Sequence, residues 1–329
     1  MAVSGESKDL YNRRNAQGES RGPSTRGGTG RSLRMTSVKS AAPIAVESPG
    51  ASQVEERFAT VDGLRMRYLR GGAGPPLVLI HGLIGYSFSW RFNLAALRPQ
   101  ATVFAVDLPG MGYSDRSPTI DCRMRAAAGR LLHFLDDLKL ESADVLGTSH
   151  GGGLAMMLAA MAEGRVRRLI LVAPVNPWSR HGRLLAPLLA RIPGGSGLQP
   201  LLMRLGPLHQ FLLRRQYGDP RRISPGTLEG YVAALKIPGT LDYARRVLHG
   251  WRADLRELER VLPRIASIPT LLVWGSRDRV VSPASARPLL QNFAHAELAM
   301  LEGAGHVPYE EAPEEFNRAV IGFLAKQHG

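Results

Sequence analysis

Short apolar runs without polar alternation recur along the chain and predict buried strands. They are PPLVLIHG, ATVFAVDLPG, ADVLG, RRLILVAPV and IPTLLVWG, at residues 75–82, 101–110, 143–147, 167–175 and 268–275. A strand covered by helices on both faces has this pattern, because neither face has to be polar. Stretches with helical spacing lie between the runs, at 123–138 and 152–164. The alternation predicts an α/β fold with a mostly parallel central sheet flanked by helices.

Two segments depart from this alternation. Residues 1–50 are rich in Gly, Ser, Arg and Pro without sustained periodicity, which predicts a disordered basic N-terminal extension. Residues 176–265 are rich in Leu, Arg and Pro with helical spacing, and predict a helical cap inserted between two core strands. The core then comprises residues 51–175 and 266–329. Near its start, Asp62 and Gly63 between two extended runs predict a hairpin.

The cysteine content and the length of the apolar runs bear on location. A single cysteine, Cys122, excludes an intramolecular disulfide and suits a reducing cytoplasm. No apolar run approaches the roughly 20 residues that span a bilayer. No apolar segment follows the early arginine pair, as it would in a secretory signal. We therefore expect a soluble, cytoplasmic protein, and the sequence leaves its oligomeric state open.

The positive charge is concentrated in the predicted cap. The chain has a formal net charge of +14, and residues 176–265 hold 15 Lys and Arg against 6 Asp and Glu, a net charge of +9. Neither interleaved aromatic residues nor a recognisable nucleic-acid motif accompanies this charge, so we expect no nucleic-acid partner. Attraction of anionic ligands, or weak contact with a membrane surface or lipid through the basic cap, fits the distribution better.

A candidate nucleophile lies between a predicted strand and a predicted helix. Ser149 is the central residue of G-x-S-x-G at 147–151, and this context is the one that a nucleophile elbow requires. Serine needs a base to accept its proton and an acid to orient that base. Asp278, just after the last apolar run, and His306, in a glycine-rich loop, follow in the chain order Ser, Asp, His.

An oxyanion needs hydrogen-bond donors as well. The residue after the nucleophile supplies one backbone N–H and a loop after an early strand supplies the other, which here are His150 and Leu83. His81 and His150 adjoin turns that shape the site, and we expect neither to be the base. The remaining histidines carry no motif, and structural or surface roles are expected for them.

Five motifs, in order, resemble those of the α/β-hydrolase fold superfamily, in its capped branch of esterases and lipases. They are HGLIG, DLPGMGYSD, GTSHGG, WGSRDRVV and GAGHVPYEEAPEEF, at residues 81–85, 107–115, 147–152, 274–281 and 303–316. The resemblance implies Ser149 as nucleophile, His306 as base, Asp278 as acid and a helical cap over the pocket. A serine nucleophile excludes the branches that resemble epoxide hydrolases and haloalkane dehalogenases, which use aspartate.

The resulting expectation is a carboxylic ester hydrolase that acts on a small-molecule ester through an acyl-enzyme, without metal or organic cofactor. Gly82, Phe88, Trp178 and Val307 are the candidate substrate-binding residues. Three alternatives stay open: an acyltransferase, a carbon–carbon bond hydrolase using the same triad, and a non-catalytic ligand receptor on the same scaffold. Carbon–carbon hydrolases of this superfamily commonly carry an aromatic after the catalytic histidine, where this chain has Val307, which favours an ester.

Overall fold

An eight-stranded sheet forms the centre of the molecule. The computed structural model describes residues 54–179 and 206–326, so the predicted extension at 1–50 lies outside the described residues. The strand order is β1-β2-β4-β3-β5-β6-β7-β8. The strands are β1 (Val54–Val61), β2 (Leu64–Gly71), β3 (Pro76–Ile80), β4 (Thr102–Val106), β5 (Ala143–Thr148), β6 (Val166–Val172), β7 (Thr270–Gly275) and β8 (Ala296–Leu301).

Pairing within the sheet is parallel from β4 to β8 and antiparallel only at the N-terminal edge. β1 pairs with β2, and β2 with β4, in antiparallel register. The predicted hairpin between β1 and β2 is confirmed, with Asp62 at φ 50° and Gly63 at φ 76° in its turn. The prediction of an α/β fold with a mostly parallel sheet flanked by helices is confirmed.

The helices occupy both faces of the sheet and the segment between β6 and β7. They are α1 (Leu94–Leu97), α2 (Met124–Asp137), α3 (His150–Met161), α4 (Gly206–Gln216), α5 (Thr227–Leu235), α6 (Thr240–Val261), α7 (Ala286–Leu290), α8 (Pro308–Glu311) and α9 (Pro313–Leu324). Short 3-10 turns add Ser87–Trp90, Pro220–Arg222, Leu262–Ile265 and Pro283–Ser285. Among the described helices, none combines the length and the apolarity that crossing a membrane requires.

Two apolar cores explain why the strand sequences are apolar at every position. In β3, Val78 and Ile80 pack into the core beneath α2 and α3, whereas Leu77 and Leu79 pack into the core that contains α9. Successive side chains of a strand point to opposite faces, so a sheet covered on both sides needs apolar residues throughout. The same alternation sends Leu169 and Ile170 of β6 to opposite cores.

In the described part of the connection from β6 to β7 there are three helices, which we call the helical insertion. They are α4, α5 and α6, and residues 180–205 of the predicted cap lie outside the described residues. α6 packs against the core with a stripe of buried side chains at helical spacing, namely Tyr243, Val247, Trp251, Leu255 and Leu258. The domain boundaries at 176 and 265 stay predictions.

Two elements differ from the sequence prediction. The edge strand β8 was missed, because most of its residues are exposed or half-buried and its sequence, AELAML, is no continuous apolar run. α3 begins at His150, immediately after Ser149, two residues before the predicted start. The glycines at 151–153 lie inside this first turn of the helix, where their low helix propensity hides them from a pattern-based prediction.

Candidate active site

Ser149 lies on a strained turn between β5 and α3. Its φ is 52° and its ψ −118°, a conformation that non-glycine residues rarely adopt. The neighbouring glycines permit the turn: a Cβ on Gly147 would lie 2.3 Å from the carbonyl oxygen of Gly151, and one on Gly151 would lie 2.4 Å from that of Ile80. The Ser149 N–H donates to the Val172 carbonyl of β6 at 2.9 Å, which ties the turn to the sheet.

His306 and Asp278 meet at the same end of the sheet. Asp278 follows β7 and His306 follows β8, and Asp278 Oδ2 lies 2.8 Å from His306 Nδ1. The other carboxylate oxygen, Oδ1, accepts the N–H groups of Val280 at 2.7 Å and Val281 at 3.0 Å. With Nδ1 carrying the proton that bonds to the carboxylate, Nε2 is left as an acceptor. Asp278 and His306 are both buried.

A buried carboxylate joins the loop of His306 to the helical insertion. Glu311 Oε2 accepts the N–H groups of Gly305 at 2.7 Å and Gly218 at 2.9 Å, and Oε1 accepts that of Asp219 at 2.7 Å. The His306 N–H itself donates to the Gln216 carbonyl at 2.6 Å. The end of α4 therefore holds the His306 backbone directly, and the two residues Gly218 and Asp219 hold it through Glu311, which also binds Gly305. No pattern in the sequence around Glu311 predicts this role.

The loop after β3 approaches Ser149 closely. A Cβ on Gly82 would lie 3.3 Å from the Ser149 Cβ. His81 holds this loop: its Nδ1 is 2.7 Å from the Gly82 carbonyl, and its Nε2 accepts the Leu108 N–H at 3.0 Å. Accepting at Nε2 requires the neutral tautomer with the proton on Nδ1. Burial lowers the pKa of His81, in keeping with a neutral ring.

Leu83 and His150 present backbone N–H groups beside the nucleophile. Within the described residues, neither N–H donates to a protein acceptor, which leaves both for a ligand. The His150 side chain points elsewhere, since it is buried and its ring stacks on Trp251 of α6 with centroids 5.8 Å apart. Burial, with a smaller contribution from His81, lowers the pKa of His150 to about 4. A side chain that stays neutral and points away does not compete with His306.

A cavity of about 100 Å³ brings these groups together. The core lines it with Ser149, His306, Gly82 and Leu83. The insertion lines it with apolar and polar side chains of α4 and α5, namely His209, Leu212, Leu213, Gln216, Leu228, Tyr231, Val232 and Leu235. No sequence motif marks these residues, because only the fold places α4 and α5 over Ser149.

Of the four candidate substrate-binding residues, the structure places only Gly82 in this cavity. The Phe88 ring stacks on Tyr86 with centroids 5.5 Å apart and packs against α5. Trp178 packs against the core beneath α2 and α3, and Val307 is buried in the opposite core. These three residues lie near the site motifs in sequence, but their side chains pack against other residues outside the cavity.

A buried ion pair within the core hydrogen-bonds to residues of the insertion beside the cavity. Arg91 lies 2.7 Å from Glu310, and their side chains are 9% and 0% exposed. Glu310 also accepts the hydroxyls of Tyr217, at 2.7 Å, and of Tyr231. Arg91 donates to Thr227 at 2.9 Å. Burial, together with the charge of Glu310, raises the pKa of Tyr231 well above its ordinary value, so its hydroxyl remains a donor.

The described residues offer no group of three or more His, Cys, Asp or Glu side chains that could hold a metal ion. Separately, the site brings together residue types used in nucleophilic catalysis: a serine on a strained turn, a histidine bonded to a carboxylate, and two backbone N–H groups that have no protein acceptor among the described residues. Residues 75–313 match the family described as alpha/beta hydrolase fold. The match covers most of the chain, which therefore belongs to the α/β-hydrolase fold family.

The proteins similar to this chain are named for different reactions. A dihydrolipoyllysine-residue acetyltransferase component of an acetoin cleaving system, from Cupriavidus necator, is 30% identical over 294 residues, covering 86% of this chain and 73% of that protein. Haloalkane dehalogenase 2 from Mycobacterium bovis is 29% identical over 276 residues, which cover 81% of this chain and 94% of that protein. The structure of a membrane phospholipase A, a novel bacterial virulence factor, is 28% identical with a TM-score of 0.69, covering 83% and 86%.

Proposed function

We propose that the protein is a serine hydrolase that cleaves carboxylic esters through an acyl-enzyme intermediate. One observation carries the proposal: the cavity that contains Ser149 on its strained turn also contains His306, whose Nδ1 is bonded to Asp278. A serine hydroxyl becomes a useful nucleophile when a base accepts its proton. The carboxylate orients the imidazole and stabilises the imidazolium that forms.

These positions support the following reaction. Ser149 Oγ attacks the ester carbonyl while its proton passes to His306 Nε2. The N–H groups of Leu83 and His150 bind the negative oxygen of the tetrahedral intermediate. The imidazolium then protonates the leaving alcohol, and the acyl group remains on Ser149. In the second half, His306 removes a proton from water, which attacks the acyl-enzyme and releases the acid.

The walls of the cavity favour an apolar group on the substrate. Leu212, Leu213, Leu228, Val232 and Leu235 line it from the insertion. Such walls bind an apolar acyl or alcohol group by removing its surface from water. The similarity to a membrane phospholipase A, which is named for ester chemistry on a lipid, supports this class of substrate.

The other relatives give weaker support for a particular reaction. We do not propose dehalogenation, although a haloalkane dehalogenase is among the relatives, because the family resemblance implies an aspartate nucleophile for that branch and the elbow motif of this chain carries Ser149. The acetyltransferase match supports a second candidate, transfer of the acyl group from Ser149 to an alcohol or thiol instead of water. Adding a primary alcohol or a thiol to the ester assay separates the two, since transfer yields a new ester or thioester in place of the acid.

The first experiment is turnover of p-nitrophenyl butyrate by the full chain and by Ser149→Ala. Removal of the nucleophile should lower kcat by roughly 10⁶-fold if the triad acts as a unit. Ser117→Ala is the matched control, because the Ser117 hydroxyl bonds only to its neighbour Thr119, away from the cavity. Turnover by Ser149→Ala at the wild-type rate would rule out this nucleophile, and an inactive wild type would favour the receptor alternative.

A further inference from the structure

The outer face of α4 is apolar and open to solvent. The described residues contain six exposed large apolar side chains, and three of them lie on this one helix: Leu208, Phe211 and Leu212, exposed by 39%, 60% and 46%. Their spacing of three and four residues places them on one side of the helix. Single exposed leucines are common on protein surfaces, whereas a contiguous apolar row marks an interaction site.

The inner face of the same helix lines the cavity over Ser149. His209, Leu213 and Gln216 face inward as lining residues. Leu212 belongs to both faces, since it lines the cavity and is also 46% exposed. α4 is therefore a wall one helix thick between the solvent and the nucleophile. Leu212 makes the apolar surface continuous from outside to inside.

Basic side chains lie at the end of this apolar row. Arg214 and Arg215 form the last turn of α4 and are exposed, and Arg221 and Arg222 follow. From residue 206 to residue 222 the chain carries these four arginines and one acid, Asp219, a net charge of +3. A helix with an apolar face beside arginines binds at the boundary of an anionic bilayer, with its apolar side chains below the headgroups. Arginine stems extend along the apolar surface and hold the charge at the phosphates.

We propose that Leu208, Phe211 and Leu212, with Arg214 and Arg215, form a docking surface for an anionic phospholipid bilayer. Docking places Leu212, which is exposed and also lines the cavity, against the lipid, so that an apolar ester reaches the cavity along an apolar surface. The entry of an ester rests on the proposed function. The docking itself depends only on the exposed side chains and their charge.

Co-sedimentation with vesicles tests the docking. Wild-type protein should bind vesicles containing about one-third phosphatidylglycerol more tightly than vesicles of phosphatidylcholine alone, and added salt should weaken the binding. Replacing Leu208 and Phe211 together by serine should lower the partition coefficient by at least about tenfold, because two large apolar groups no longer enter the lipid. Arg214→Gln with Arg215→Gln should abolish the preference for the anionic vesicles.

Leu298→Ser is the matched control, because Leu298 on β8 is 39% exposed, as Leu208 is, and belongs to another part of the surface. It should leave vesicle binding unchanged. Equal binding by the wild type and the Leu208/Phe211 variant would overturn the proposal, as would equal loss in the control. A thermal midpoint that falls by several degrees in the Leu208/Phe211 variant would also overturn it, since the face would then be covered by residues of the chain itself.

The same variants separate this proposal from the proposed function. On a short water-soluble ester, the Leu208/Phe211 variant should keep wild-type turnover, because neither side chain lines the cavity. On an ester presented in anionic vesicles, its turnover should fall in step with binding. Vesicle binding by a wild type that hydrolyses no ester would leave the docking in place and refute the esterase.

Discussion

Replacing Glu311 by glutamine tests whether the helical insertion holds the catalytic histidine in position. The side chain keeps its size and loses its charge. With its single carbonyl oxygen at the Oε2 position, glutamine can still accept from Gly305 and Gly218. Its NH₂ group then faces the Asp219 N–H, which had donated to Oε1 at 2.7 Å, and two donors oppose each other.

The size of the effect follows from these contacts. One half-buried N–H loses its acceptor, and the bonds that remain are no longer charge-assisted, which costs about 1 to 3 kcal/mol. The last residue of α4, Gln216, accepts the His306 N–H at 2.6 Å, so a shift of the segment that continues from it to Asp219 moves the histidine. A displacement of about 1 Å in a catalytic group can cost roughly 100-fold in rate. We expect kcat to fall by about 10-fold to 100-fold.

The assay compares kcat and KM for a short soluble ester with the rate at which Ser149 reacts with a fluorophosphonate. Both kcat and the labelling rate constant should fall in Glu311→Gln. If the substitution only reduced the amount of folded protein, fewer molecules would be labelled, but the molecules that stay folded would react at the wild-type rate. Glu314→Gln is the control, because Glu314 is an exposed acid of α9. Wild-type kcat in a folded Glu311→Gln protein would refute the reasoning.

Two further predictions concern buried ionisable groups. In urea titrations, Arg91→Met should lower the free energy of unfolding by about 3 to 5 kcal/mol, because Glu310 is left buried without its cation. Adding Glu310→Gln should recover part of that loss. Equal stability of wild type and Arg91→Met would contradict this prediction. For His150, the unfolded chain binds a proton near pH 6.5, but the pKa in the folded protein is about 4, so the free energy of unfolding should fall as the pH drops through this interval, by about 3 kcal/mol. His150→Phe, which can keep the stacking on Trp251, should remove this part of the pH dependence, and identical pH profiles for the two proteins would refute it.

The sheet and the candidate triad could be predicted because their signals are local. The apolar runs of β3 to β7 reflect burial on both faces, and Ser149, Asp278 and His306 each follow such a run or a glycine-rich loop. β8 carries no such signal, since an edge strand is covered less completely.

Contacts between residues that are far apart in the sequence leave no local pattern from which they could be predicted. Arg91 and Glu310 are separated by 219 positions, and only the fold places their charges together. The same holds for Glu311 and the residues after α4. Val307 shows that position in sequence does not fix the direction of a side chain, because it adjoins His306 in the chain and is buried in the core that contains α9.

Active-site labelling tests the central claim, that Ser149 is activated by His306 and Asp278, most directly. The folded protein is treated with a fluorophosphonate, and the modified peptide is located by mass spectrometry. We predict one adduct per chain, on Ser149, that disappears in Ser149→Ala and slows strongly in His306→Ala. No adduct on the folded wild-type protein, or an adduct on another serine, would contradict the account.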